Sequence, residues 1–163
     1  MCIITDSVGS TNHAYVHAGY RRHRHDLLRA GVELFEMRPD ALQAMGTLPA
    51  SDERGLVMHT KLVVIDRDEV FAGSLNFDPR SVKLNTEVGV FVDSHQFGGF
   101  MHDEIQKQVR NFTYRLLLTE KGALRWHYDN PKASSVTGQE PGSTLFKRAI
   151  IGLTGLMGVV LQL

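Results

Sequence analysis

An α/β (α+β) fold, a mixed β-sheet flanked by helices, is predicted by three features of the sequence. Residues 1–37 read strand, helix, strand, a crossover unit that favours a parallel pair. The densest β signal runs from Leu56 to Phe71 and holds an unbroken apolar run, Leu62-Val63-Val64-Ile65. An amphipathic stretch from His95 to about Arg110 then leads into two β-rich runs around Glu120-Lys121-Gly122. At 163 residues the chain has room for one compact unit and a tail, on the usual scale of ~100–200 residues per domain. Hydrophobic residues at 42% and charged residues at 22% are globular proportions. They exclude disordered, collagen-like and coiled-coil chains.

Taken in order, the start Met1-Cys2-Ile3-Ile4 reads as a strand that turns polar at Thr5. It lacks the basic head of a signal peptide. Ser10 or Thr11 can cap a helix over about 12–30, which Gly31 closes in the left-handed conformation. Val32–Met37 alternates as a strand with one solvated face. Residues 39–55 form a polar loop with one short helix. The continuous run Leu62–Ile65 predicts a central strand buried on both faces. Asp66-Arg67-Asp68-Glu69 turns into a second strand, Val70-Phe71-Ala72. A loop covers 73–86, an apolar strand Glu87–Val92, a helix His95–Arg110, and a hairpin pairs Thr113–Leu118 with Ala123–Tyr128. Two Pro, two Gly, three Ser and two Thr between Asp129 and Thr144 read as a linker.

Charge and cysteine content narrow the chemistry. Lys+Arg and Asp+Glu number 18 each, so net charge is zero. That argues against nucleic acid as a partner, because such binders use a basic excess to neutralise phosphates. Cys2 is the single cysteine. No intramolecular disulfide can form and four-cysteine zinc sites are excluded.

The informative segment is His59-Thr60-Lys61-Leu62-Val63-Val64-Ile65-Asp66, followed after six residues by Gly73-Ser74-Leu75-Asn76. Two positions apart on a strand, His59 and Lys61 project from one face. Gly73 lets backbone approach an anion, and Ser74 and Asn76 add hydrogen-bonding groups. Together these predict an anion site, with phosphate the expected occupant. An imidazole titrating near neutral pH suits acid and base steps at a phosphodiester. Lys61 would neutralise charge developing on the phosphoryl oxygens. Glu87, opening the next apolar strand, is the candidate to orient the imidazole.

The segment satisfies H-x-K-x4-D-x6-G-S-x-N at every specified position, and on that basis the chain resembles the phospholipase D superfamily. Asn76-Phe77-Asp78-Pro79-Arg80-Ser81, Asn85-Thr86-Glu87-Val88-Gly89, Val16-His17-Ala18-Gly19-Tyr20 and Leu27-Leu28-Arg29-Ala30-Gly31-Val32-Glu33-Leu34 are similar to the cardiolipin synthase branch. The resemblance covers about residues 1–130, and its nearest form is the C-terminal half of a bacterial cardiolipin synthase of the C type. It implies one half of a two-lobed unit and phosphatidyl transfer through a phosphohistidine. By the same resemblance His59 is the acid and base, Lys61 and Asn76 bind phosphate with Ser74, and Glu87 hydrogen-bonds His59. Asp66 and Gly73 are read as structural, and no cofactor or metal is required. The partners implied are a phospholipid, reached by peripheral association with the bacterial inner membrane, and a counterpart carrying the second histidine. That counterpart is either the missing first-motif half or a second copy of the chain. A homodimeric single-motif phosphodiesterase or endonuclease is the alternative activity, and a catalytically silent truncated fragment the non-enzymatic one.

The expected division is a catalytic half over 1–129, a linker over 130–144 and an apolar C-terminal segment over 145–163. Ala149–Leu163 carries no charge. It is short of the ~20 residues a membrane-spanning helix needs, so it either lies at a membrane interface or docks on the domain's own core. His13 and His17 lack a third ligand for zinc. His17 and Tyr20 can line a substrate cleft. The basic cluster Arg21-Arg22-His23-Arg24-His25 either attracts lipid headgroups or the phosphate backbone of nucleic acid or, as is more common for such a run, is a solvated helix face. Trp126 and Tyr128, alternating with Arg125 and His127, are expected to be half-buried.

Overall fold

The computed structural model describes residues 1–11, 14–49, 51, 57–76, 78–130, 133–145, 147, 149, 151 and 152. The elements are β1 (Cys2–Asp6), α1 (Ala14–Arg29), β2 (Glu33–Met37), α2 (Ala41–Ala44), β3 (Lys61–Ile65), β4 (Glu69–Gly73), α3 (Pro79–Lys83), β5 (Gly89–Asp93), α4 (His95–Phe112), β6 (Thr113–Leu118), β7 (Leu124–Asn130) and β8 (Ala133–Thr137). An α+β architecture of sheets and flanking helices is therefore present. The strands are divided between two compact units, Met1–Met58 with the described residues from Val109 to Gly152, and His59–Gln108.

The first unit holds a five-stranded sheet in the order β1-β2-β6-β7-β8. β1 and β2 are parallel, as the crossover through α1 requires, and the remaining pairs are antiparallel. Gly31 closes α1 at φ +82, with its N–H on the Leu28 carbonyl and that of Val32 on Leu27. This places the next strand alongside the first. Val32, Leu34, Leu116 and Trp126 form the core, packed by Ile3, Tyr20, Leu27 and Leu28.

Several expectations are corrected here. β2 has no simple solvated face: Leu34, Phe35 and Glu36 are all buried. Glu36 shares the core face with Leu34 because it lies two residues on. It is fully buried, ion-paired to Arg24 Nη2 at 2.7 Å, and accepts a 2.8 Å bond from Trp126 Nε1. Arg24, expected on a solvated face, is only 1% exposed. Its place follows from helical period: His17, Tyr20, Arg24, Leu27 and Leu28 form one stripe. Trp126 and Tyr128 are buried rather than half-buried.

The Ser-, Gly- and Pro-containing stretch after Asp129 is also part of this unit rather than a free linker. Residues 133–137 pair with β7 as β8, and the Asn130 side chain accepts the Ala133 N–H at 2.8 Å. Beyond β8, the Glu140 carboxylate meets Arg24 at 2.6 Å, His17 Nε2 at 2.9 Å and Arg21 at 3.5 Å. Lys147 Nζ donates to the Val8 carbonyl, and Ile151 is buried with Val8 and Ala18. The beginning of the apolar C-terminal segment therefore docks on core. Residues 153–163 lie outside the described residues, as does His13. Among the described residues, no helix is long and apolar enough to cross a membrane.

The second unit holds an antiparallel sheet in the order β3-β4-β5. Here the expectation of a central buried strand is corrected. β3 is an edge strand, Leu62–Val64 are half-buried and Ile65 is exposed. A continuous apolar run does not distinguish a two-sided core strand from a hairpin strand with only one covered face. β4 takes the centre, with Val70 buried, and β5 is exposed throughout, Phe91 at 71%. α3 is a short helix inside the segment expected to be loop.

Burial alone would raise the Glu140 carboxyl. The bonds from His17 and Arg24 and the field of Arg24 and Arg21 more than reverse this and bring it down to about 2. A carboxylate depressed below its unfolded value of ~4.3 adds stability above that pH and loses it as pH falls through its folded value. Glu140→Gln is therefore expected to cost about 3 kcal/mol at pH 7. The difference from wild type should shrink to nothing between pH 5 and 2, read by urea unfolding of both proteins across that range.

Candidate functional site

Register assembles the motif at one end of the three-stranded sheet. Lys61 is opposite Gly73, and Gly73 is opposite Gly89. Residues just before β3, just after β4 and just before β5 therefore share that end. These are His59, Ser74 with Asn76, and Glu87. Two glycines side by side have a packing cause. A Cβ at Gly73 would lie 2.6 Å from the Val88 carbonyl oxygen and 2.8 Å from the Phe71 ring. One at Gly89 would lie 2.3 Å from the same ring. Gly73 thus accommodates the protein's own aromatic ring and backbone.

Lys61 Nζ donates to the backbone carbonyl of His59 at 2.9 Å, which places the ammonium beside the His59 backbone. The His59 side chain is exposed and makes no hydrogen bond or ion pair among the described residues. Ser74 continues the β4–β5 ladder, its N–H on the Val88 carbonyl at 2.8 Å. Its hydroxyl accepts the Val88 N–H at 3.0 Å and donates to Glu87 Oε2 at 2.5 Å. Asn85 Nδ2 reaches Glu87 Oε1 at 3.4 Å. The Ser74 bond, with help from Asn85 and Ser81, holds the Glu87 carboxyl below its ordinary range. Sequence reasoning paired Glu87 with His59, but the structure pairs it with Ser74 and Asn85.

Ser81 is a buried hub that the sequence reading passed over. Its hydroxyl donates to Asp78 Oδ2 at 3.1 Å, accepts from Asn85 Nδ2 at 3.3 Å and lies 3.5 Å from Asn76 Nδ2. Its N–H bonds Asp78 Oδ1 at 2.8 Å. Asp78 is thus the N-cap of α3, Pro79 its first residue and Ser81 its third, a helix-start pattern legible in Asp-Pro-Arg-Ser. The short helix therefore ties Asn76 and Asn85 to one hydroxyl.

Asp66 lies at the other end of β3, about 16 Å along the strand from Lys61 at ~3.3 Å per residue. With Arg67 it forms the hairpin turn, at φ 49 and 64. Positive φ at both central residues is the type I′ condition, which matches the twist of the flanking strands. Arg67 is held by a bidentate pair to Asp103 at 2.6 and 2.7 Å, which brings the Asp103 carboxyl down to about 2.

This site geometry sits within a clear sequence relationship. The chain matches the cardiolipin synthase, PLD-like domain family over residues 2–115. It belongs to that family. It is also 33% identical over 161 residues to cardiolipin synthase C of Escherichia coli (strain K12), covering 98% of this chain and 34% of that protein. Cardiolipin synthase A of Pseudomonas aeruginosa (strain PAO1) is 33% identical over 88 residues, 54% of this chain and 15% of that protein. A cardiolipin synthase of Geobacillus kaustophilus is 32% identical over 87 residues, 53% of this chain and 13% of that protein. This member of the PLD-like family thus spans about a third of the E. coli relative and less of the others. No solved structure matches. Among the described residues, no group of three or more His, Cys, Asp or Glu is placed to hold a metal ion.

Two outcomes follow from this geometry. Replacing Asp66 by Asn or Gly should leave thermal stability unchanged or slightly raised, because both tolerate the left-handed turn. Asp66→Val should cost about 1–2 kcal/mol by the same calorimetric measurement. Separately, Ser74→Ala should let the Glu87 carboxyl titrate upward towards the ordinary glutamate range, followed by NMR of its side-chain carbon.

Proposed function

We propose that this chain is the second-motif half of a phospholipase D-type phosphatidyltransferase of the cardiolipin synthase kind. The observation that carries the reading is the alignment of Lys61 with Gly73 on adjacent strands, which brings H-x-K and G-S-x-N to one sheet end. In this mechanism an imidazole from the counterpart half attacks the phosphorus of a phospholipid. The new N–P bond forms as the P–O bond to the leaving alcohol breaks, and His59 gives that oxygen its proton. The hydroxyl of a phosphatidylglycerol then gives its proton to His59 and attacks phosphorus, releasing the counterpart imidazole and completing phosphatidyl transfer. Lys61, Ser74 and Asn76 bind the phosphoryl oxygens as charge builds on them. Glu87 steadies the imidazolium once its bond to Ser74 opens towards substrate.

Two features support a counterpart and a lipid surface. The His59 side chain is unpartnered among the described residues, and its unit exposes Val88, Val90, Phe91, Phe97 and Phe100. Exposed apolar side chains in this number fit a surface that meets another protein or a membrane. A first-motif half would cover it in the leading reading, and a second copy in the alternative one.

The decisive assay mixes this chain with the remaining portion of the E. coli relative on phosphatidylglycerol vesicles and measures cardiolipin formed. Activity is expected only in the mixture, and His59→Ala should lower it about a hundredfold to ten-thousandfold. Wild-type turnover by His59→Ala would overturn the assignment. Activity of this chain alone, rising with the square of its concentration, would replace the counterpart half by a second copy.

A further inference from the structure

The first unit carries a cluster of cations that the motif does not use. Phe35, Arg115 and His127 stand directly opposite one another across β2, β6 and β7. Thr113 and Asp129 lie two residues from Arg115 and His127 and share their face. Their parity is opposite to that of Leu34, Leu116 and Trp126, so they project from the face turned away from the core. With Arg110 from the last turn of α4 they line a hollow of about 100 Å³, the scale of one tetrahedral oxyanion rather than of a whole lipid or nucleotide.

The polar groups there are only partly committed. Arg115 gives one nitrogen to Glu33 at 2.7 Å, which leaves most of its five N–H donors free. Arg110 and His127 make no ion pair or side-chain hydrogen bond among the described residues. Thr113 is spent on the Val109 carbonyl. Asp129, exposed and likewise without a side-chain partner among the described residues, is the carboxylate of the lining. Two guanidinium groups against Asp129 and the Glu33 paired to Arg115 leave no net charge with the imidazole neutral, so an anion would be held by the free N–H donors of Arg110 and Arg115 rather than by an excess of positive charge.

We propose that this hollow binds a singly charged phosphodiester group. Arg110 and Arg115 hold its non-bridging oxygens and His127 donates a third hydrogen bond. Asp129 disfavours the dianion of a phosphate monoester. The inference stands on the sheet face of the first unit and holds whether or not the motif is active. A lipid headgroup and a soluble diester offer the same chemistry, and the experiment separates them.

The full chain is titrated with dimethyl phosphate while NMR follows the arginine Nε–H and histidine ring signals. Arg110, Arg115 and His127 should shift with one dissociation constant. Arg110→Gln and Arg115→Gln should each weaken binding about fivefold, and Asp129→Asn should strengthen it. His59→Ala should change nothing at these three signals. Neither Arg110→Gln nor Asp129→Asn removes an ion pair among the described residues, so neither variant tests folding instead of binding. Methyl phosphate, a dianion at pH 8, should bind more weakly. Binding to vesicles of equal phosphatidylglycerol and phosphatidylcholine, competed away by dimethyl phosphate, would identify a headgroup. Dimethyl phosphate binding without vesicle binding would identify a soluble diester. Absence of shifts at Arg110, Arg115 and His127, unchanged affinity in the Arg110→Gln/Arg115→Gln double variant, or tighter binding of methyl phosphate would overturn the proposal.

Discussion

The register between β3, β4 and β5 is the constraint on which the candidate site depends. Side chains alternate along a strand, so a slip of one residue in β3 would turn Lys61 to the opposite face and away from the Ser74 end. Between β4 and β5 the Phe71 ring opposes the corresponding slip, because it lies where a side chain at position 89 would be. Only a pair of glycines opposite each other admits it. Phe71 also sits 4.9 Å from Phe91 on the next strand, so the same ring stitches β4 to β5. Gly73, which the motif suggests as a place for an anion to approach, acts in this structure first as a lock on strand alignment.

From that alignment follows the polar arrangement beyond it. Ser74 extends the ladder by one residue and turns its hydroxyl to Glu87, while α3 hangs Asn76 and Asn85 from Ser81. Lys61 is anchored on the His59 carbonyl. Each group that would meet phosphate is held by a neighbour within the second unit, and the His59 imidazole is the exception. The imidazole is exposed, while the Lys61 ammonium is held on the backbone carbonyl of the same residue.

Much of this was legible in the sequence because it rests on short-range periodicity. The strand–helix–strand start, the positive-φ Gly31, the turn at Asp66-Arg67 and the hairpin around Gly122 each carry their own local signal. The parallel pairing of β1 with β2 follows from their spacing. Most of the misses share a different cause, dependence on long-range partners; α3, whose Asp78 cap is a local signal, is the exception. Leu62–Ile65 looks the same in sequence whether its strand is central or at an edge. Arg24 and Glu36 look solvent-bound until Glu140, more than a hundred residues away, joins them. Helical spacing sets Arg24 on the stripe with Tyr20 and Leu28, a period that the expectation of a solvated face for residues 21–25 did not use. The stretch around Ser134 and Ser135 had linker composition, and only pairing with β7 makes it a strand. At the site, the residue types and their common sheet end were readable. That Glu87 bonds Ser74 rather than His59 was not, because rotamer choice is set by contacts that spacing does not encode.

The central claim is that an imidazole and an ammonium share one phosphoryl group at the end of the three-stranded sheet. Its most direct measurement is an NMR titration of the full chain with orthovanadate, a mimic of phosphorus in transfer, following the His59 ring and the Lys61 Nζ signals together. The account predicts that both move with the same dissociation constant, and that the Ser74 amide moves with them. Movement of Lys61 with a stationary His59 ring, or of neither, would contradict it.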